Sequence, residues 1–178
     1  MKRDRLPMKF ARPLLAVLAC VMLAACGSFT PPSEPSFYRD LARPGAELDA
    51  AAAASMISGY RANNGLAAVT LDPALMQLAE AQAALMAKRD RLDHDAGKPF
   101  TTRLKAAGYA AATAAENIGA GYHTLAEAFS GWRDSPPHRA NMLLAGATRM
   151  GIAAVYTPAS KYKVYWTLIL AAPEGGRG

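Results

Sequence analysis

The stretch GWRDSPPHRANML, residues 131–143, combines a helical pattern, two consecutive prolines and a histidine. Proline lacks a backbone N–H and clashes with the preceding turn, so Pro136 and Pro137 predict the end of the helix that precedes them. His138 would then project from a rigid corner of the chain rather than from a helix face. We therefore expect a fixed turn that presents an imidazole.

The sequence before this stretch predicts helices. Four segments show helical periodicity or helix-capping residues: one from about Glu47 to Asn63, one capped by Asp72 and ending near Arg91, a short one ended by Gly108, and one opened by the capping box Thr124–Glu127. We expect the segments AATAA before Glu116 and AGYHT after it to be loops.

The sequence after Gly146 changes to a period of two. TRMGIAAVY (148–156) and KYKVYWTLIL (161–170) predict two strands, and the TPAS between them predicts an antiparallel hairpin. The second strand is apolar on both alternating faces, so we expect it to be covered on both sides. Helices followed by a hairpin predict an α+β domain, an α–β–α sandwich with a small antiparallel sheet between helical layers.

The first 25 residues resemble a bacterial lipoprotein signal peptide. Basic residues precede the apolar run PLLAVLACVMLAAC, which is shorter than the roughly 20 residues that span a bilayer. The run ends in LAAC, similar to the lipobox, in which the cysteine is lipidated and becomes the new N-terminus. We expect lipidation at Cys26, with cleavage by the ordinary signal peptidase as the alternative.

The predicted organisation is a signal peptide (1–25), a Pro/Ser-rich tether (26–46), a domain (47–173) and a C-terminal tail (174–178). The protein is expected to be exported and lipid-anchored to the cell envelope. In a Gram-negative bacterium, the absence of Asp after Cys26 resembles sorting to the outer membrane, facing the periplasm or the cell surface.

The positions of the cysteines and of the basic residues exclude several functions of the domain. The two cysteines are Cys20, inside the apolar run, and Cys26, so the domain has no thiolate for catalysis or metal binding. The signal peptide carries most of the net charge of +6, and no stripe of Lys and Arg interleaved with aromatic residues follows it. We expect a membrane partner through Cys26 and no nucleic-acid partner.

Two of the three histidines and one glutamate are candidate functional residues. His94 follows the second predicted helix, His138 follows the fourth, and Glu116 lies in the segment AENIG. Each one alone could be a capping or surface residue. We interpret His123, in GYHT, as a loop residue.

These segments together resemble one protein family. LDHD (92–95), AENIG (115–119) and SGWRDSPPHRANML (130–143) are similar in order and spacing to the bacterial SCP-like form of the CAP superfamily, which includes cysteine-rich secretory proteins, antigen 5 and plant pathogenesis-related proteins. The resemblance covers about residues 49–172 and implies an α–β–α sandwich. It also implies a cleft that contains His94, Glu116 and His138.

One position departs from the wider family. Many members have a second glutamate three residues after the tryptophan of the fourth helix, and this chain has Ser135 there. The resemblance therefore does not support a mechanism that needs two carboxylates.

The cleft has three interpretations. The first is a binding or structural module whose cleft receives a lipid, glycan or peptide. In a purely structural alternative, HRAN (138–141) only stabilises the fold through hydrogen bonds, and His138 is satisfied by Glu116. The second is a zinc-dependent hydrolase or peptidase with His94, His138 and Glu116 as ligands and one open coordination position.

The third interpretation is a serine hydrolase built from Ser135, His138 and Glu116. It requires the serine Oγ to lie about 3 Å from its base, and the spacing across two prolines does not ensure this. The ligand, any catalysis and the oligomeric state are not predicted by the sequence.

Overall fold

The computed structural model describes residues 34–174 of the chain. Five helices and four strands follow a short 3-10 helix, Ser36–Tyr38, in the order α1 (Ala50–Ala62), β1 (Thr70–Leu71), α2 (Pro73–Arg89), α3 (Phe100–Ala106), β2 (Ala111–Ala120), α4 (Leu125–Asp134), α5 (Pro136–Met142), β3 (Arg149–Tyr156) and β4 (Val164–Pro173). The predicted signal peptide, Cys26 and residues 175–178 lie outside the described residues.

The four strands form one sheet in the order β1-β3-β4-β2. β4 pairs antiparallel with both neighbours, and the short β1 pairs parallel with β3. The predicted hairpin of β3 and β4 is confirmed, with Tyr156 opposite Val164 at its closed end. β2 is an edge strand, which is important for the site described below.

Helices cover the sheet on both faces, which confirms the α–β–α sandwich. Successive side chains of a strand point to opposite faces, so β4 supplies two different cores. Trp166 and Leu168 pack with residues of α1, α4 and α5, whereas Ile169 and Ala171 pack with residues of α2 and α3. No helix among residues 34–174 is long and apolar enough to span a membrane.

Local capping explains where several helices begin. The Asp72 side chain accepts hydrogen bonds from the first backbone N–H groups of α2, and Thr124 forms the predicted capping box with Glu127. α1 begins at Ala50, directly after its N-cap residue Asp49, rather than at Glu47. Local sequence therefore predicted these helices to within a few residues.

The segment AATAA, expected as a loop, belongs to strand β2. Ala114 and Ala115 pair with Ala171 and Leu170 of β4. Alanine has a low β propensity, and a run of small residues shows no alternation of apolar and polar side chains. The partner strand, rather than the segment itself, therefore determines this conformation.

Residues 34–46, expected as part of the tether, pack against the domain. Leu41 is buried in the main core, and its backbone N–H donates to the His123 carbonyl at 2.7 Å. The Ser36 hydroxyl lies 2.7 Å from an Asp49 carboxylate oxygen. The folded unit therefore includes residues from 34 onward, because the apolar side chains of this segment gain burial there.

Gly151 allows α2 to lie close to the sheet. A Cβ atom at this position would lie 2.2 Å from the backbone carbonyl carbon and oxygen of Leu75. Backbone atoms in a packed helix cannot move away as the end of a flexible side chain can.

Gly151→Ala should therefore lower the free energy of unfolding by about 1–3 kcal/mol or more. Gly59→Ala is the matched control, because nothing lies within 4 Å of its added Cβ in helix α1. That control should stabilise the protein by roughly 0.5–1 kcal/mol. Urea unfolding of both variants measures the difference, and equal stabilities would contradict the close packing.

Candidate functional site

A buried glutamate lies at the centre of the site. The Glu116 side chain on β2 is 2% exposed, and the Arg103 Nη2 group donates to its two carboxylate oxygens at 3.0 and 2.8 Å. The His94 Nδ1 atom lies 2.9 Å from Oε1. A buried carboxylate is costly unless it is paired and hydrogen-bonded, and here both conditions are met.

Arg103 reaches this carboxylate from helix α3. Its Nε donates to the Lys98 carbonyl at 3.1 Å, and its guanidinium lies 5.3 Å from the centre of the Phe100 ring. The side chain is 12% exposed. The guanidinium is therefore fixed by backbone and aromatic contacts as well as by Glu116.

His94 lies in the turn after α2. The helix ends at Arg89, and Asp90 takes a left-handed conformation that redirects the chain. The buried Gln82 side chain then donates to the carbonyls of Asp93 and His94, at 2.8 and 3.2 Å. This turn places a half-exposed imidazole directly over the buried ion pair.

His138 lies in the first turn of helix α5, which corrects the expectation of a corner outside a helix. Pro136 and Pro137 end α4, but they also occupy the first positions of α5, where a backbone N–H is not needed. His138 Nδ1 lies 2.9 Å from Ser135 Oγ. The expectation that His138 is satisfied by Glu116 is therefore wrong.

Asparagines attach α5 to the edge strand. Asn117 Nδ2 donates to the His138 carbonyl at 2.9 Å. Asn141 Nδ2 donates to Asn117 Oδ1 at 2.9 Å and to the Glu116 carbonyl at 3.2 Å. These bonds fix the backbone that carries His138.

The chain segments that carry the two histidines contact opposite faces of β2. Glu116 and Asn117 are consecutive strand residues, so their side chains point to opposite faces of the sheet. Glu116 contacts His94 and Arg103 on the face covered by α2 and α3, whereas Asn117 contacts α5. α5 is therefore attached to the other face of the edge strand, and its His138 is still close enough for the charge of His94 to lower its pKa.

This arrangement does not fit a zinc site made of His94, Glu116 and His138. Within the described part of the chain, no group of three or more His, Cys, Asp or Glu side chains could hold a metal ion. Both oxygens of Glu116 already accept from Arg103. The zinc-dependent hydrolase alternative therefore has no support in the geometry of residues 34–174.

The two imidazoles have opposite electrostatic environments. The hydrogen bond to Glu116 raises the pKa of His94 above its ordinary value of 6.5, although partial burial opposes the change. Burial lowers the pKa of His138 below 6.5, and the nearby charge of His94 acts in the same direction. Near neutral pH, His94 therefore has the greater tendency to carry a proton.

The sequence interpretation missed three residues of this region. Arg103 and Asn117 complete the hydrogen bonds around Glu116 and His138. Arg61, fully buried at the end of α1, donates to four carbonyls, three of them in residues 142–147, just after His138. An arginine at the end of an amphipathic helix looks like a surface residue, so sequence alone gave no signal for it.

NMR titration of the imidazole Cε1–H signals tests the electrostatics. His94 should titrate above pH 6.5 and His138 below it, and Glu116→Gln should lower the His94 midpoint. Folding raises the pKa of His94, so its bond to Glu116 contributes to the free energy of unfolding. This contribution is complete below about pH 6.5, the unfolded pKa, and is lost as pH rises through the folded pKa.

The control for this titration is Glu80→Gln, which removes an exposed carboxylate from α2. It should leave the His94 midpoint unchanged. A wild-type protein in which His138 titrates above His94 would contradict the assignment, whatever the stability of the Glu116 variant.

Known proteins resemble this chain in sequence. The model of the cysteine-rich secretory protein family, CAP, matches residues 54–170. The uncharacterized protein YkwD of Bacillus subtilis (strain 168) is 33% identical over 103 residues, which are 56% of this chain and 40% of YkwD. This chain therefore spans less than half the length of that relative.

Solved structures share the fold at lower identity. An outer surface protein from Borrelia burgdorferi has a TM-score of 0.64 at 16% identity, covering 73% of this chain and 99% of that chain. An extracellular protein containing an SCP domain, from Bacillus anthracis str. Ames, has a TM-score of 0.59 at 21% identity, covering 68% and 39%. With the fold, the motifs and the family match in agreement, this chain belongs to the cysteine-rich secretory protein (CAP) family.

Proposed function

We propose that this protein is a lipid-anchored binding module of the bacterial cell envelope that uses the His94 side of its cleft to bind a lipid headgroup. The observation that carries the proposal is the half-exposed His94 imidazole held over the buried Arg103–Glu116 pair. Glycans and peptides are the other ligands that this surface could recognise.

The bonding of His94 favours binding over chemistry. Its Nδ1 is engaged by Glu116, and Nε2 has no hydrogen-bond partner among residues 34–174. Because the pKa of His94 is raised, more of the ring is protonated near neutral pH than in an ordinary histidine, and the Nε2–H of the protonated ring is a donor for phosphate or another anionic group. The carboxylate that would act as a catalytic base is already occupied by Arg103.

The leader sequence and the relatives support export. Residues 1–26 have the pattern of a lipoprotein signal peptide that ends at Cys26. Two of the similar structures are named as an extracellular protein and an outer surface protein. A protein held at the envelope by a lipid would meet lipid headgroups at high local concentration.

One preparation of the full chain, purified from a bacterial envelope in detergent, tests both parts of the proposal. Cells grown with radiolabelled palmitate should yield labelled wild-type protein and unlabelled Cys26→Ser. The purified wild type is then titrated with dihexanoyl phosphatidylglycerol, chitotriose and tetra-alanine while the histidine Cε1–H signals are followed by NMR.

The phosphatidylglycerol should shift the His94 signal without shifting that of His123, the matched control in an exposed loop. His94→Gln should weaken this binding by about tenfold, the loss expected for one charge-assisted hydrogen bond. A shift by chitotriose or tetra-alanine alone would contradict the lipid headgroup as ligand. No shift with any probe would contradict the binding site, and palmitate labelling of Cys26→Ser would contradict the anchor.

A further inference from the structure

Ser135 occupies a capping position without capping its helix. A serine at the N-cap usually accepts a hydrogen bond from the second or third backbone N–H of the helix. Pro136 and Pro137 have no N–H to donate, and the Ser135 side chain makes no capping hydrogen bond. Its Oγ lies instead 2.9 Å from His138 Nδ1. The sequence did not ensure this contact, and the structure places it within the distance required of a nucleophile and its base.

The neutral state of His138 allows the Ser135 hydroxyl to donate to it when the ring proton is on Nε2. Because burial and the charge of His94 both lower its pKa below 6.5, the neutral form of the ring predominates near pH 7. A neutral imidazole has one nitrogen that accepts, so the Ser135 hydroxyl can donate to Nδ1. This is the direction that a general base requires to activate a hydroxyl.

The surroundings fix the pair and leave it accessible. Asn117 holds the His138 carbonyl at 2.9 Å, and Arg139 Nε donates to the Arg133 carbonyl at 2.7 Å across the junction of α4 and α5. Both Ser135 and His138 are only partly buried. A small electrophile can therefore reach an Oγ whose base is already positioned.

We propose that Ser135 is a nucleophile, with His138 as its general base, that accepts an acyl group from a carboxylic ester. As Oγ attacks the carbonyl carbon, its proton passes to His138 Nδ1. The carbon–alkoxide bond then breaks, and the alkoxide takes that proton to leave as an alcohol. Attack by water, with His138 again as the base, releases the carboxylic acid and restores the serine. This inference is independent of the proposed binding at His94.

Labelling of the full chain with a biotinylated fluorophosphonate tests the nucleophile. In that reaction an Oγ–phosphorus bond forms, the phosphorus–fluorine bond breaks and fluoride leaves. Peptide mass spectrometry should locate one label at Ser135 in the wild type. Ser135→Ala should abolish the label, and His138→Gln should slow labelling by about 100-fold, within the usual contribution of a general base.

Ser130→Ala is the matched control, because Ser130 is a partly buried serine on α4 that forms no hydrogen bond with a histidine within residues 34–174. It should be labelled at the wild-type rate, and circular dichroism should show that every variant is folded. The wild type should also release p-nitrophenolate from p-nitrophenyl acetate faster than Ser135→Ala does.

Three results would contradict the role of Ser135 and His138. A folded wild type that does not react with the fluorophosphonate would show that the Ser135–His138 contact only stabilises α5. Labelling that is unchanged in His138→Gln would overturn the role of the base. Labelling without faster ester cleavage than in Ser135→Ala would overturn the ester as the acyl source.

Discussion

The ion pair between Glu116 and Arg103 is the interaction on which the candidate site depends. A carboxylate that is 2% exposed must be neutralised and hydrogen-bonded, so strand β2, helix α3 and the turn that carries His94 have to meet at one point. Breaking the pair would leave a buried charge without a partner. The site is therefore part of the folding of the domain rather than an addition to its surface.

The alternation of side chains along β2 determines which residues surround each histidine. Glu116 points to the face covered by α2 and α3, while the next residue, Asn117, fixes α5 on the other side. His94 and His138 consequently have different partners, a carboxylate for His94 and a serine for His138. The bond to Glu116 raises the pKa of His94, whereas burial and the charge of His94 lower that of His138. Because both Glu116 oxygens accept from Arg103, the three-ligand metal site does not form.

Local features of the fold were predictable from the sequence, and distant ones were not. Asp72 and Thr124 define helix starts through contacts within four residues, and the alternation in residues 148–170 predicts the hairpin. The strand character of Ala111–Ala120 comes from pairing with β4, some 55 residues later, so no local pattern revealed it. The family resemblance identified His94, Glu116 and His138, but the ion pair with Arg103 depends on packing between α3 and β2.

The most direct test of the account is a double-mutant cycle on the free energy of unfolding, with Arg103→Met, Glu116→Gln and the double variant. The exposed pair Arg133–Asp134 provides a matched cycle at the surface. The account predicts that the buried pair has a coupling of about 2–3 kcal/mol, clearly larger than that of the exposed pair. Effects that add to within about 0.5 kcal/mol would contradict it, because the ion pair would then not organise the site.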